Sequence, residues 1–209
     1  MTETLPVQTD SPSARERRHA AILDAAESLF IEQGYERTSL AEIVRQSGGS
    51  LATLYDLFGN KQGLLHALAA RWLDEAMAAR MGRAGDSPMS NRDILMSYVG
   101  TECEMQRSPR AIALMRMLVS ESLRDRDFAL QTYRNLHLPA IRELADLFTR
   151  WTADGDATVD DPEGAAHLFF SIISGDSMLG ILAGVEDGVL DGAQIVWRLQ
   201  PFFAHFGIR

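Results

Sequence analysis

The sequence predicts an all-α protein of nine helices, three short ones followed by six longer ones. Apolar residues recur almost throughout with helical spacing, as at Ile22, Ala25, Ala26, Leu29 and Phe30. No stretch of useful length alternates between apolar and polar residues as a half-buried strand would. Residues that cap and end helices separate the apolar segments. These three observations together predict helices and turns only.

The composition is that of an ordinary globular protein. Its 209 residues are long for one domain and short for two independent ones, and 46% of them are apolar. The net charge of −9 argues against a chain that is basic all over, although a small basic face can lie within an acidic protein. The single cysteine, Cys103, excludes an internal disulfide and a site with several thiolate ligands. We therefore expect a cytoplasmic protein.

Two stretches could be mistaken for targeting or membrane segments. Residues 1–13 place acidic residues before the first arginine and contain no apolar run, so we predict a disordered tail and no signal peptide. Residues 168–185 carry one charge, Asp176, in eighteen residues, but they barely reach a spanning length and lack basic flanks. We expect a buried helix there and no membrane partner.

The boundaries of the three short helices follow from their capping residues. Gly34 ends the first helix, and Ser39 with Glu42 can form a capping box that opens the second. The glycines at 48–49 end the second helix, and the third fills residues 51–58. Six further helices are predicted. The first three cover residues 61 to about 81, residues 90 to about 107, and a stretch that starts at residue 109. The last three cover residues 125 to about 151, with a kink at Pro139, residues 162–183 and residues 191–206.

The second and third helices have the spacing of a helix-turn-helix motif, since each has about eight residues and a Gly-Gly-Ser turn joins them. In that motif the second helix enters the major groove of DNA and presents its N-terminal and outward-facing side chains. Leu54 and Phe58, four residues apart, would face the core. The outward-facing candidates are Ser50, Leu51, Ala52, Thr53, Tyr55 and Asp56.

The stretch GYERTSLAEIVRQSGGSLATLYDLFGNKQGLLHAL resembles the DNA-binding segment of TetR-family transcriptional regulators over roughly residues 18–70. That segment has a G-[YF]-x-x-[TS]-[TS]-[VIL]-x-x-[IL]-A block, a recognition helix ending L-Y-x-H-F, and then [SND]-K-[ED]-x-L. The sequence departs from the pattern at Val44, Leu51, Asp56, Leu57 and Gln62, which leaves its recognition helix poor in positive charge. More weakly, IALMRMLVSESLRDRDFALQTYRN resembles the ligand-domain pattern of the AcrR/AefR-like branch.

The resemblance implies a three-helix DNA-binding domain over residues 14–60 and a six-helix ligand-binding and dimerisation domain over residues 61–209. A basic arm before the first helix, which includes Arg15 and His19, can track phosphates or the minor groove. The predicted DNA-binding residues are Arg17, Arg18, Thr38, Ser39, Ser50, Leu51, Ala52, Thr53, Tyr55, Asp56 and Lys61.

Lys61 is the only lysine among the twenty basic residues. It opens a helix, where a cation is unfavourable with the helix dipole by a few tenths of a kcal/mol, roughly. A phosphate of the DNA is the counter-charge that we expect for its ammonium group.

The methionines and aromatic residues of the later helices are expected mainly in the core, and some can line a pocket for an apolar ligand. The predicted pocket residues are Met96, Val99, Cys103, Met115, Leu118, Tyr133, Phe148, Trp151, Phe169 and Ile173. Because the last two helices are apolar nearly all round, we predict that they form a homodimer interface. The predicted interface residues are Phe170, Ser174, Met178, Ile181, Trp197, Phe202, Phe203 and Phe206.

The sequence therefore predicts a homodimeric repressor that an apolar small molecule releases from a near-palindromic operator. The alternative is a helical ligand-binding or interaction protein whose helix-turn-helix no longer binds DNA. An all-α enzyme has only the presumed pocket in its favour, and we expect no catalytic residues, no cofactor and no metal. Glu102 and Glu104, on either side of Cys103, are expected to be solvated carboxylates.

Overall fold

The computed structural model describes residues 13–84, 89–185 and 191–209, and every regular element in these ranges is a helix. The predicted all-α class is confirmed. The chain forms two compact units, Met1–Leu68 and Ala69–Arg209, so the division falls inside a helix rather than at the predicted domain boundary before Lys61. Of the predicted disordered tail, only Ser13 belongs to the described residues.

Helix boundaries follow the predicted capping residues closely. In the first part of the chain the helices are α1 (Ala14–Gln33), α2 (Leu40–Ser47), α3 (Leu51–Phe58) and α4 (Lys61–Ala84). Those that follow are α5 (Asn91–Arg107), α6 (Pro109–Arg124), α7 (Arg126–Thr132), α8 (Leu138–Ala153), α9 (Pro162–Ala183) and α10 (Gly192–Phe206). The capping box of Ser39 and Glu42 is present, and Gly34 ends α1, as predicted.

The long helix predicted from Asp125 to Trp151 is divided, so the described residues contain ten α-helices instead of nine. One π-helical turn, Tyr133–His137, joins α7 to α8, and the Leu138 amide donates to the carbonyl of Tyr133. Pro139 has no amide hydrogen to donate, and its ring would clash with the carbonyl four residues earlier in a regular helix. The predicted kink is therefore taken up by a wider turn just before the proline.

The first unit has its own core. Ile22, Leu23 and Phe30 of α1 are fully buried, as are Ile43 of α2 and Leu54 of α3. Helices α2 and α3 have eight residues each, and isolated helices of that length are marginal in water. Burial of their apolar faces against α1 therefore stabilises them.

The second unit has an aromatic core between α5, α8, α9 and α10. Phe202 of α10 lies at the centre of the rings, 5.7 Å from Phe169 and 6.0 Å from Phe148 between ring centroids. Leu95 of α5 and Leu144 of α8 are completely buried beside them. This cluster fixes the inward faces of the four helices.

The part of α4 that belongs to the second unit is tied to its neighbours by charged groups. Arg80 donates to Glu143 of α8 at 2.6 Å, and its guanidinium lies 3.7 Å above the ring of Tyr98 on α5. The Tyr98 hydroxyl donates to the same Glu143 oxygen at 2.8 Å. Glu75 accepts from Arg110 of α6 at 2.8 Å. Burial raises the pKa of the Tyr98 hydroxyl further above neutral, which is consistent with its role as a hydrogen-bond donor to Glu143.

Over the described residues, no helix has both the length and the apolar content needed to cross a membrane.

Replacing Glu143 by Ala is expected to lower the free energy of unfolding by about 1–2 kcal/mol, because it removes the acceptor of both Arg80 and Tyr98. Asp146→Ala, on an exposed position of the same helix, is the matched control and should cost less than about 0.5 kcal/mol. Urea denaturation followed by circular dichroism measures both changes. Equal losses in the two variants would show that the Arg80–Glu143–Tyr98 contact contributes nothing specific.

Candidate nucleic-acid interface

The turn between α2 and α3 needs glycine at two positions. Gly48 and Gly49 have φ angles of 75° and 98°, a region that side chains with a Cβ rarely adopt. Arg18 of α1 lies against this turn and donates from its guanidinium to the Ser47 carbonyl at 3.1 Å. A Cβ atom at Gly49 would lie 3.3 Å from the Arg18 guanidinium. The turn is thus fixed both by its backbone and by a side chain from α1.

Helix α3 is capped by Ser50, whose hydroxyl oxygen accepts from the Thr53 amide at 3.1 Å and lies 3.0 Å from the Thr53 hydroxyl. Leu54 and Phe58 are buried, as predicted, and the ring of His19 on α1 packs 4.7 Å from that of Phe58. One face of α3 is therefore held against α1, and the remaining positions are free to point outward.

The outward face of α3 has little positive charge. Leu51, Ala52 and Asp56 are exposed, and Tyr55 is 51% exposed. The Asp56 carboxylate lies 3.6 Å from the guanidinium of Arg15 at the start of α1. Both of these side chains are largely exposed, so the ion pair adds little stability. Its consequence is that Arg15 partly neutralises the one acidic group of this face.

Two of the predicted DNA-binding residues, Thr38 and Arg18, have hydrogen-bond partners within the unit. Thr38 is 2% exposed, and its hydroxyl lies 2.9 Å from the Gly34 carbonyl oxygen and 3.2 Å from that of Leu29. The Arg18 guanidinium donates to the Ser47 carbonyl at the α2–α3 turn, whereas the adjacent Arg17 is exposed. The hydroxyl of Ser39, which is exposed, serves the cap of α2. Sequence spacing predicted the Ser39 cap but not the partners of Arg18 on α2 and of Thr38 on α1.

The lone lysine has an intramolecular environment that the sequence did not indicate. The Lys61 ammonium lies 4.4 Å from the centroid of the Tyr35 ring and donates to the Glu36 carbonyl at 3.3 Å. The aromatic face and the carbonyl oxygen offset its unfavourable position at the start of α4. A phosphate is therefore not needed to explain why a cation is found here.

The connection from α3 to α4 contains a requirement for glycine that sequence reasoning missed. Asn60 caps α4 through its side-chain oxygen, which accepts from the Gly63 amide at 2.8 Å. A Cβ atom at Gly63 would collide with the carbonyl oxygen of Phe58. Any other residue at this position would displace the end of the recognition helix.

Most of the predicted pocket residues lie together in the second unit. Val99, Cys103, Phe148, Trp151, Phe169 and Ile173 belong to its buried core cluster, and Met96 packs against that cluster. Leu118 is buried outside it, and Met115 is partly exposed. Tyr133 is exposed in the π-helical turn, where it stacks on His137 at 5.2 Å.

The predicted dimer residues are mostly turned inward. Phe202, Phe203 and Ile181 are buried within the protomer, so these three side chains present little surface to a second copy. Ser174 hydrogen-bonds to Glu102 on α5, and Phe170, Met178 and Phe206 are only partly exposed. Trp197 is exposed to 76%, and the outward stripe of α9 contains Leu168, Leu179 and Leu182 instead. Both helices are apolar nearly all round, and periodicity alone did not reveal which stripe faces inward.

Among the described residues, no group of three or more His, Cys, Asp or Glu side chains could hold a metal ion. His137 and His167 lie 6.0 Å apart, and burial together with the charge of His167 lowers the pKa of His137.

The geometry defines a three-helix unit with a helix-turn-helix, followed by a larger helical unit, and comparison with known proteins identifies both. Residues 22–68 match the model of the bacterial regulatory proteins of the tetR family, and residues 93–196 match the C-terminal domain of AefR-like transcriptional repressors. The chain belongs to the TetR family. Both matched models describe regulatory proteins rather than enzymes.

Individual relatives agree with this assignment. The HTH-type transcriptional repressor ComR of Escherichia coli K12 is 47% identical over 58 residues, which are 28% of each chain. The matches to the first three curated relatives span less than a third of those relatives' length. A TetR-family regulator structure from Mesorhizobium loti MAFF303099 shares the fold, with a TM-score of 0.73 over 94% of this chain and all of that one at 19% identity. The flavonoid-responsive regulator FrrA is 26% identical, with a TM-score of 0.67 over 91% of this chain and 97% of that one.

Replacing Arg18 by Ala is expected to loosen the α2–α3 turn. The Ser47 carbonyl loses its hydrogen-bond donor, and Gly48 and Gly49 lose their contact with the guanidinium. At a cost of about 1 kcal/mol, amide hydrogen exchange in α3 should become roughly fivefold faster. Arg17→Ala, one residue earlier and exposed, is the control and should leave that exchange rate unchanged. Mass spectrometry of peptides covering residues 47–58 provides the measurement, and equal protection in both variants would exclude a role for Arg18 in the turn.

Proposed function

We propose that this protein is a DNA-binding transcriptional repressor that acts as a homodimer, and that a small, largely apolar ligand releases it from a near-palindromic operator. The operator DNA would be read in the cytoplasm. The observation that carries the proposal is helix α3, which is capped, supported from behind and exposed along its outer face. That is the arrangement in which a recognition helix enters the major groove.

The exposed side chains of α3 are suited to contacts with DNA phosphates and to apolar contacts with base edges in the major groove. Tyr55 presents a hydroxyl that can donate to a phosphate, and Leu51 and Ala52 present apolar surface of the kind that contacts thymine methyl groups. Ser50 and Thr53 lie at the N-terminal end of the helix, where helices approach bases and phosphates. Arg15 and Arg17 are exposed cations at the start of α1.

Exposed apolar area supports the dimer. Leu179 is 74% exposed on α9, and Trp197 is similarly exposed on α10. The same stripes contain small residues, Gly175 on α9 and Ala193 on α10, which allow close approach of another helix. A second copy of these two helices would bury this area in a four-helix interface with twofold symmetry.

Helix α4 is the natural route for regulation, because it starts in the first unit and continues in the second. Its second half is tied to α8 through Arg80 and to α6 through Glu75. A ligand that shifted those contacts would change the spacing of the two recognition helices in the dimer. Ligand and operator would then weaken each other's binding by the same factor.

The alternative, a helical binding protein whose helix-turn-helix no longer binds DNA, is favoured by the acidic group on α3. Residues 14–65 contain six basic and seven acidic residues, so this region has no overall positive charge. Fluorescence anisotropy with the DNA upstream of the protein's own gene separates the two functions. Binding that weakens with salt supports the repressor; no binding at any salt, to this DNA or to DNA selected in vitro, supports the alternative.

Asp56→Asn is expected to strengthen DNA binding severalfold at low salt, because it removes a charge that repels phosphate and releases Arg15 from its ion pair. The slope of log K against log salt should become steeper by about two per dimer. Asp156→Asn makes the same change in net charge on an exposed loop of the second unit and is the control. An identical gain in both variants would attribute the effect to total charge rather than to the α3 face.

Lys61→Met keeps the apolar stem of the side chain and removes its charge. If the ammonium contacts a phosphate in addition to Tyr35, affinity falls by a similar factor for every DNA sequence, and the salt slope decreases by about two per dimer. Anisotropy titrations at several salt concentrations measure the slope, and a melting curve measures stability. A lower melting temperature with an unchanged slope would mean that the charge of Lys61 serves only the contact with Tyr35 and Glu36.

A further inference from the structure

A buried polar cluster lies where α5 packs against α9. Gln106 is 2% exposed, and its side-chain nitrogen donates to Glu102 at 2.9 Å and to the Ile173 carbonyl at 3.3 Å. The side-chain oxygen of Gln106 is buried as well, and it has no hydrogen-bond partner among the described residues. Buried amide oxygens in folded proteins almost always have a donor, so this atom requires an explanation.

Glu102 adds a second acceptor to this cluster. Instead of being solvated, as the sequence had suggested, it is largely buried, and it hydrogen-bonds to Gln106 and Ser174. Burial raises the pKa of this carboxyl group. None of the basic side chains in the described part of the chain forms an ion pair with it. The cluster thus holds an excess of acceptors and lacks a cation.

The surroundings of the cluster are apolar. Val99 and Cys103 on α5 and Phe169 and Ile173 on α9 belong to the buried core. Helix α6 packs against both α5 and α9. A polar group held in such surroundings binds a partner strongly, because little water competes for its hydrogen bonds.

We propose that Glu102 and Gln106 bind the amine end of the ligand, and that the ligand is an apolar molecule carrying a primary ammonium group. Two of its N–H groups donate to the free oxygen of Gln106 and to the Glu102 carboxylate, and its apolar body lies against the side chains of α5 and α9. This inference rests on the proposed function, since it specifies the chemical class of the ligand that releases the repressor.

Three probes with the same apolar body and different heads test the assignment: 4-phenylbutylamine, 4-phenylbutan-1-ol and 4-phenylbutanoate. Isothermal titration calorimetry on the full-length protein should show the amine binding about tenfold or more tighter than the alcohol, because hydrogen bonds to charged groups are the stronger ones. The carboxylate should bind more weakly than either, since it would face Glu102.

Two variants locate the effect. Glu102→Gln keeps the shape of the side chain and should reduce the affinity for the amine about tenfold or more, while the affinity for the alcohol changes less than about threefold. Gln106→Met fills a similar volume without the orphaned oxygen and should reduce the preference for the amine severalfold, because one of the two acceptors is lost. Glu104→Gln, the same substitution on the exposed side of α5, is the matched control and should leave all three affinities unchanged. Circular dichroism verifies that each variant is folded.

The inference is overturned if the amine binds no better than the alcohol, if no probe binds, or if Glu104→Gln reproduces the effect of Glu102→Gln. In each case Glu102 and Gln106 form an internal polar contact that at most holds a trapped water. DNA binding measured on the same samples separates this failure from that of the proposed function. Salt-dependent DNA binding without amine selectivity refutes only the ligand class, whereas absence of DNA binding at any salt refutes the repressor whatever the probes do.

Discussion

The contact between Arg18 and the α2–α3 turn is the interaction on which the first unit depends. Helices of eight residues do not persist alone, so α3 keeps its orientation only through the turn before it and the apolar face behind it. Gly48 and Gly49 supply the backbone geometry, and the Arg18 guanidinium holds the Ser47 carbonyl at the end of α2. An arginine suits this role because its planar group can cover a turn and donate in the same plane.

The contact of Arg18 shows how residues 14–65, which contain few cations, can use the same side chains for folding and for DNA binding. At least four of the six basic residues in this range have partners inside the unit: Arg15 with Asp56, Arg18 with the turn, Arg37 with the Gln33 carbonyl, and Lys61 with Tyr35. Arginine and lysine have several donors each, so such a contact does not use up the whole group. Structure and phosphate binding would thus share the same few side chains, and the geometry of the unit would set the affinity for DNA.

In the second unit one face of α5 links the polar cluster to the contact that holds α4. Tyr98, Glu102 and Gln106 follow one another at four-residue intervals, so they lie along one side of the helix, about 6 Å apart along its axis. Tyr98 at one end touches Arg80 of α4 and Glu143 of α8. A ligand at Glu102 would therefore act one helical turn from the side chain that anchors α4. That short distance would give the proposed ligand a direct mechanical connection to the helix shared by both units.

The sequence by itself determined the helical class, nearly all helix boundaries, the helix-turn-helix and the inward direction of Leu54 and Phe58, because capping chemistry and helical periodicity are local. It also indicated that Pro139 would disturb its helix, although not that the disturbance would be a π-helical turn. Only the tertiary structure decided which stripe of α9 and α10 is buried, since a helix that is apolar all round carries no periodic signal, and so Phe202 lies inside and Trp197 outside. The partners of Arg18, Thr38, Lys61 and Glu102 were likewise beyond sequence reasoning. Each of these side chains contacts a residue on another element, and such contacts exist only after the helices have packed.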